Sequence, residues 1–572
     1  MQVSRKSFSN TVLIGTAVLC TLTVSPWISY DPINLPKMMI LVTGAAILLF
    51  PTLLKIRLNK ELSSLFFYAT VFFGLSIVFS FFLNDAPWSQ QLWGVWGRST
   101  GLLAYLSFLI IMLGASTTKS KVDIELVRHA FEKLSYFVTF YTLLQAADLD
   151  PINWSQKTLI ATLGNINFMS SFLGLATISM FSRIILGKVS ISSFLHYAFL
   201  SFLNLSLIWV SGSIQGLGMC LVGFSFCLVM KMRRKYGLRI ASALLVSLFP
   251  CGLFALLGTA GVGPLRLLAQ ETVTFRLDYW KAAFQMLRSN WEHGIGIDSY
   301  GDYYQQYRDV QAVASTGPQR VSNTAHNIFL DVATGSGVLS GIFFFLIFAS
   351  TAIIIFRNFR NGSFDEMFIA LSSMWMGFVL FSLISINQIG VGIWGFVFMG
   401  LIQSMVFANG IDGELSQTNP TGFSRKLSNA DSDLPFRLSK YNLFATTIIG
   451  LFGFVASVIP NYMDIEMLRA TRSQDFSRMT EIANSPISPV FYKDKLQAHL
   501  IQVGKNQEVV TFALNEIKRN ERNYVSLKVV AFSELASSQD RGYAIRQLRK
   551  IDPLNWELMR QLDEVEQNAG SG

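Results

Sequence analysis

Thirteen stretches of this chain are each long and apolar enough to cross a hydrocarbon core about 30 Å thick as a helix, and nothing else constrains the fold as strongly. They lie near residues 11–30, 38–54, 62–83, 101–116, 131–147, 166–185, 194–211, 214–230, 240–260, 333–356, 366–386, 389–408 and 441–460. A bilayer offers no water to backbone N–H and C=O groups, so such segments must satisfy them internally as helices. Hydrophobic residues make up 51% of the chain and charged residues only 14%, which excludes an ordinary soluble globular protein of 572 residues. The expected fold class is all-α: a polytopic membrane helical bundle of about 13 spans with a large extracytoplasmic loop and a helical-repeat C-terminal domain.

Charge orients the bundle. With the N-terminus in the cytoplasm, the inner connections hold 22 basic residues and the short outer loops three, Lys37, Arg98 and Lys157. This is the asymmetry of the positive-inside rule, and it places the tail after an odd number of spans outside. The net charge of +10 is spread over many loops and forms no stripe, so it belongs to topology and argues for no nucleic-acid partner. No small-residue cleavage pattern follows Val24-Ser25-Pro26-Trp27, so the first apolar stretch reads as a retained helix. Cys20, Cys220, Cys227 and Cys251 all fall in apolar spans, where they act as small hydrophobic residues.

Two extramembrane parts remain. Residues 261–325 form an outer loop far longer than a helix connection needs, and its tyrosines and tryptophans can bury a core of their own. In it, "FRLDYWKAAFQMLRSN" has helical spacing and predicts an amphipathic helix on or near the outer membrane surface, followed by a glycine-rich turn and a short aromatic helix. In the tail, turn signals at Pro489, Asn523 and Asn555 recur at intervals of 34 and 32 residues, a period that suits tetratricopeptide-like hairpins able to bind a protein partner or to package the domain. The division is N-terminal membrane helices over 1–60, a membrane domain over 61–410, a cytoplasmic linker over 411–440, a last membrane helix over 441–460 and an extracytoplasmic repeat domain over 461–572.

Polar groups at the outer end of the bundle are the functional candidates, because ionisable residues near membrane helices are costly. Arg98, between glycines at 97 and 101, is either a lipid-phosphate anchor or a bidentate grip on a diphosphate. Asn165 and Asn167 precede an apolar helix, where one serves as an N-cap and both present amides to a sugar or phosphate. "WVSGSIQGLG" at 209–218 is a further polar break that reads as a tight turn. Arg266, Arg276 and Arg288 face Glu271, Asp278 and Asp298 in the loop, a mixture that ordinarily forms a solvated face; Arg276 stands out beside Asp278-Tyr279-Trp280. Thr324 is placed to cap a helix starting near His326, whose positive end would keep the imidazole neutral and attract phosphate. His293 competes with His326, and Asn327 lies beside it. Asp298 and Asp302 are the acidic pair nearest to a metal-binding arrangement, and no HxxxH or carboxylate-rich cluster accompanies them.

Together "WGRSTGLL", "GNINFMSSFL", "RLDYWKAAFQML", "HGIGIDSYGDYY" and "AHNIFLDVATGSGVLSG", in this order over residues 60–410, resemble the O-antigen ligase and polymerase superfamily of bacterial envelope glycosyltransferases. The resemblance implies a GT-C type transferase in the bacterial cytoplasmic membrane that needs no metal or cofactor. Its donor would be a glycan on undecaprenyl diphosphate, and its acceptor a lipid, a polysaccharide or a protein, with membrane lipids around it. Arg98 and Arg276 match arginines thought to grip the donor diphosphate, and His326 matches the family histidine that activates the acceptor or assists departure of the diphosphate. Asn165, Asn167, Asn327, Asp278 and Arg266 are secondary candidates. Ligase, polymerase and protein oligosaccharyltransferase share these motifs. A transporter of lipid-linked glycan or of a small anion is the alternative class, disfavoured because the conspicuous polar groups gather at one face and no repeat relates the two halves.

Overall fold

The computed structural model describes residues 8–58, 63–154, 157–187, 189–259, 261–263, 265–266, 269, 271–415 and 440–570, and residues 416–439 of the expected linker lie outside them. Every regular element among the described residues is a helix. Among the described residues nine helices are long and apolar enough to cross a membrane, and Phe8–Leu22, Leu102–Ser116 and Ile389–Met405 are shorter apolar helices. The remaining expected span, 131–147, lies in Lys121–Ala146, whose first half carries the charged residues. The chain is a polytopic helical membrane protein.

Three boundaries differ from expectation, each for a local reason. The first helix stops at Leu22 instead of running to residue 30. Pro26 and Pro32 lie beyond it, and Asp31 starts the next helix by accepting from the backbone N–H of Ile33 (3.2 Å) and Asn34 (2.9 Å). The expected span 333–356 is two helices, Ile328–Ser336 and Val338–Asn361, broken at Gly337 with φ 87°. The last span does not stop at 460. It continues as Lys440–Ser473 through Pro460, because Trp93 Nε1 donates at 2.9 Å to the Ala456 carbonyl that the proline cannot reach.

That long helix lies along Asn34–Leu58, and Gly453 makes the approach possible: a Cβ there would come within 2.4 Å of the Ala46 Cβ. Beyond Ser473 follow Phe476–Asn484, then hairpins Val490–Gln502 with Asn506–Arg519 and Tyr524–Phe532 with Ser538–Ile551, and a closing helix Trp556–Gly570. The first helix of each unit follows Pro489, Asn523 or Asn555; Asn523 accepts from Ser526 N at 2.8 Å and Asn555 from Leu558 N at 3.1 Å. Met467, Tyr492, Leu496, Leu527 and Leu548 form the centre of a second core, separate from that of the bundle.

The amphipathic helix of the long loop is Glu271–Ser289. Its Ala282, Ala283 and Met286 are buried on Tyr300 and Tyr304 of the short helix Tyr300–Tyr307, giving the loop a core of its own, while Leu277 and Phe284 stay exposed on the other side. Loop, tail and the connections 23–33 and 84–101 therefore gather at one end of the bundle, through contacts such as Asp31–Gly97, Asp298–Val95 and Asp464–Asp31.

Candidate functional site

Arg98 sits in a turn that closes on itself. A Cβ at Gly94 (φ 95°) would lie 2.3 Å from Thr100 N, and one at Gly101 would lie 2.4 Å from Gly94 N, so the glycine at 101 serves the turn's own backbone rather than an approaching substrate. The guanidinium is buried and occupied: Nη2 pairs with Asp298 Oδ1 at 3.1 Å, with side-chain exposures of 8% and 2%, and Nη1 donates to Asn323 O at 2.6 Å. Only Nε has no partner among the described residues. Asp298, expected on a solvated face, is the inward partner, and its Oδ2 also accepts from Val95 N (2.8 Å) and Thr100 Oγ1 (3.4 Å). Asp302, its companion in the expected acidic pair, accepts from Gln90 Nε2 at 2.8 Å, so the two carboxylates are committed to different partners.

A second carboxylate, Asp331, stands behind the same guanidinium. It accepts from Thr324 Oγ1 at 2.5 Å and Ala325 N at 2.8 Å; burial raises its carboxyl above the usual range, with the Arg98 charge opposing. Thr324 is therefore not the helix cap. Asn327 is, its Oδ1 accepting from Phe329 N (3.0 Å) and Leu330 N (3.1 Å), which occupies the carbonyl expected to meet substrate. Thr324 instead accepts from His326 N at 3.1 Å and holds that residue at φ 53°, a left-handed conformation uncommon for a non-glycine residue. A cavity of about 20 Å³, room for one water, lies between Arg98, Thr100, Tyr105, Asp298, Tyr300 and Asp331.

His326 leans on the outer-loop helix. Its ring stacks on Tyr279 with centroids 5.6 Å apart and planes 27° apart, and Tyr279 is fixed by Tyr300 OH, which donates to its carbonyl at 2.7 Å. Burial, then the charges of Arg276 and Arg98, lowers the imidazole to about 4, so it is neutral at physiological pH. The direction is the one expected from the sequence, and the main causes are burial and two arginines. Both charges act on the one ring, so Arg98 and Arg276 stand near enough to His326 to influence it electrostatically. Arg276 is half-buried, its charge disfavoured chiefly by burial, and it forms no ion pair among the described residues. A guanidinium without an ion-pair partner among the described residues, near a neutral imidazole, has the chemistry to receive an anion.

The other candidates lie elsewhere. Asp278 pairs with Lys281 at 3.3 Å, and Arg266 is exposed. Asn165 caps Ile166–Leu186, and Asn167 Oδ1 accepts from Ser213 Oγ at 2.8 Å, joining the two polar breaks of the sequence to each other and not to His326. The His293 carbonyl accepts from Ser80 Oγ and Asn84 Nδ2, both at 2.8 Å. The "HGIG" segment there laces over the helix break: Ile295 N donates to Thr334 O (2.9 Å) and Gly296 N to Gly335 O (3.0 Å). His293 lines a laterally open, apolar groove of about 520 Å³ between Ser64–Leu83 and Val338–Asn361, with Phe72, Leu75, Phe79, Leu339 and Phe343. Ser336 borders both this groove and the small cavity at Arg98. Among the described residues no group of three or more His, Cys, Asp or Glu converges as a metal site would.

Residues 197–346 match the family model described as O-antigen ligase. This stretch is similar to the O-antigen ligase family. The match spans His326, Arg276, Asp298 and Asp331, and is narrower than the resemblance seen in the motifs: Arg98, the Asn165–Asn167 pair and the repeats lie outside it. No curated protein matches the chain. The match supports a function of the O-antigen ligase and polymerase type.

Proposed function

We propose that the protein transfers a glycan from a polyprenyl-diphosphate donor, undecaprenyl diphosphate in bacteria, to an acceptor hydroxyl at the outward face of the cytoplasmic membrane. The observation that carries this reading is neutral His326, stacked on Tyr279 and within the field of Arg276, which has no ion-pair partner among the described residues. The acceptor hydroxyl attacks the anomeric carbon, its proton passes to His326, and the bond from that carbon to the diphosphate oxygen breaks with both electrons leaving on the diphosphate. Arg276 holds the charge that develops there, in a half-buried setting where a fixed guanidinium acts more strongly than in water. Asp298 and Asp331 moderate Arg98, which orients the turn and contributes its field. The apolar groove beside His293 suits the isoprenoid chain, and its lateral opening suits entry from lipid. The basic inner loops support an N-terminus inside and a tail outside.

Mass analysis of envelope glycans from cells with and without the protein tests the reading. Loss of attachment identifies a ligase and loss of chain length a polymerase; glycans unchanged in both respects refute transfer.

A further inference from the structure

Chains of contacts from the C-terminal repeats reach Gly97 and Phe275, the residues that precede Arg98 and Arg276. We propose that the repeats are a clamp that sets Arg98 and Arg276 in place through two buried carboxylates, Asp464 and Asp552, as positioning residues. The inference rests on the proposed transfer only in assigning Arg276 to the donor and the Arg98 turn to its support.

The first tie runs to Arg98. Asp464 lies beyond Pro460 on Lys440–Ser473, fully buried, and its neighbours Met463 and Met467 belong to the core of the repeats. Its Oδ1 accepts from Tyr492 OH of the repeats at 2.6 Å and from Trp96 Nε1 at 3.4 Å. Its Oδ2 accepts from Ser29 Oγ at 2.5 Å and Asp31 N at 3.0 Å. Asp31 passes the constraint on by accepting from Gly97 N at 3.2 Å, while Asn34 Nδ2 donates to Gly97 O at 2.6 Å. Gly97 immediately precedes Arg98, and the turn is pinned again where Trp96 stacks on Phe491, centroids 3.7 Å apart and planes 5° apart.

The second tie runs to Arg276. Asp552 pairs with Arg308 Nη2 at 2.7 Å, with side-chain exposures of 0% and 1%, and also accepts from Gln305 Nε2 (3.0 Å), Tyr524 OH (3.1 Å) and Asn555 Nδ2 (2.8 Å). Arg308 Nη1 donates to Arg320 O at 3.0 Å, and the Arg320 guanidinium covers the ring of Phe275 at 4.0 Å, next in sequence to Arg276. Beside this tie, Arg522 donates to Asp302 O at 3.0 Å and Gln306 Oε1 at 2.8 Å and lies over Tyr303 at 3.8 Å.

A long loop has few contacts of its own to keep catalytic side chains within tenths of an ångström, so a site on it needs a supporting shell. The Asp552–Arg308 pair has both carboxylate oxygens and both terminal guanidinium nitrogens engaged, with Arg308 Nε alone lacking a partner among the described residues, so it holds a narrow geometry and transmits it. Neither carboxylate lines the cavity at Arg98.

The full-length protein in lipid nanodiscs tests this, with Asp552→Asn, Asp464→Asn and, as a milder surface variant should these not fold, Arg522→Ala. Two readouts apply: KM and kcat for an undecaprenyl-diphosphate glycan, and amide hydrogen exchange over 94–101 and 271–327. The clamp predicts a donor KM raised about tenfold per folded enzyme and lost protection in both segments, and adding Arg308→Met to Asp552→Asn should recover stability, because no guanidinium is then stranded, without recovering donor KM, because the link to Arg320 is still missing. Unchanged donor KM and unchanged exchange in folded variants overturn the clamp. A wild-type protein that turns over no such donor refutes the proposed function instead, and the exchange readout still decides the clamp.

Discussion

Asp298→Asn isolates the ion pair on which the Arg98 turn depends. The substitution keeps the shape and removes the charge. Arg98 is then left buried with its Nη1 still on Asn323 O and only Asp331 as a nearby carboxylate. Stranding one member of a buried pair costs about 3–5 kcal/mol, and the attraction of Asp331 places this case near 3 kcal/mol. The new amide cannot serve both neighbours: turned so that its oxygen accepts from Val95 N, it aims its NH2 at Arg98, and turned the other way it leaves Val95 N unpaired, adding about 1 kcal/mol. Equilibrium unfolding in mixed micelles gives the loss directly for Asp298→Asn, Arg98→Met and the double variant. The double variant strands no charge, so it should be less destabilised than the sum of the singles by about 2 kcal/mol. Single variants within about 0.5 kcal/mol of wild type, or strictly additive losses, refute the pair as a structural anchor.

Two further outcomes follow from the geometry. The His326 imidazole is lowered to about 4, so kcat/KM should stay flat through neutral pH and fall only as pH drops toward that value. In the unfolded chain the same group binds its proton near pH 6.5, so the folded protein should also lose stability as pH falls from about 6.5 to about 4, which acid titration of unfolding reads. Asn165→Ala should cost about 1 kcal/mol of stability through its lost cap and leave transfer per folded enzyme unchanged, so a loss of turnover would place Asn165 in the substrate site.

The spans were legible because a bilayer leaves an apolar run no other structure, and the turn at 211–213 and the cap at Asn165 followed from local chemistry. Where two local signals competed, the structure chose on contacts the sequence does not display. Thr324 and Asn327 are both good caps; Asp331 engages the threonine hydroxyl, and the helix starts at Asn327. Asp298 reads as an exposed loop charge because its partner is 200 residues away, although its place in "GIGID", between glycines that fold back onto the 334–335 backbone, marks a buried turn. Pro460 reads as a terminus, and only the distant Trp93 lets the helix pass through it. The grouping of Arg98, Arg276 and His326 as candidates came from the family resemblance, since no spacing in one sequence joins positions so far apart.

The central claim is that His326 and Arg276 perform glycan transfer, and the most direct measurement is transfer by purified protein in nanodiscs with an undecaprenyl-diphosphate glycan and its acceptor. His326→Ala should lower kcat by about 100-fold or more with donor binding retained, and Arg276→Ala should weaken donor binding. Wild-type turnover retained by His326→Ala would contradict the account.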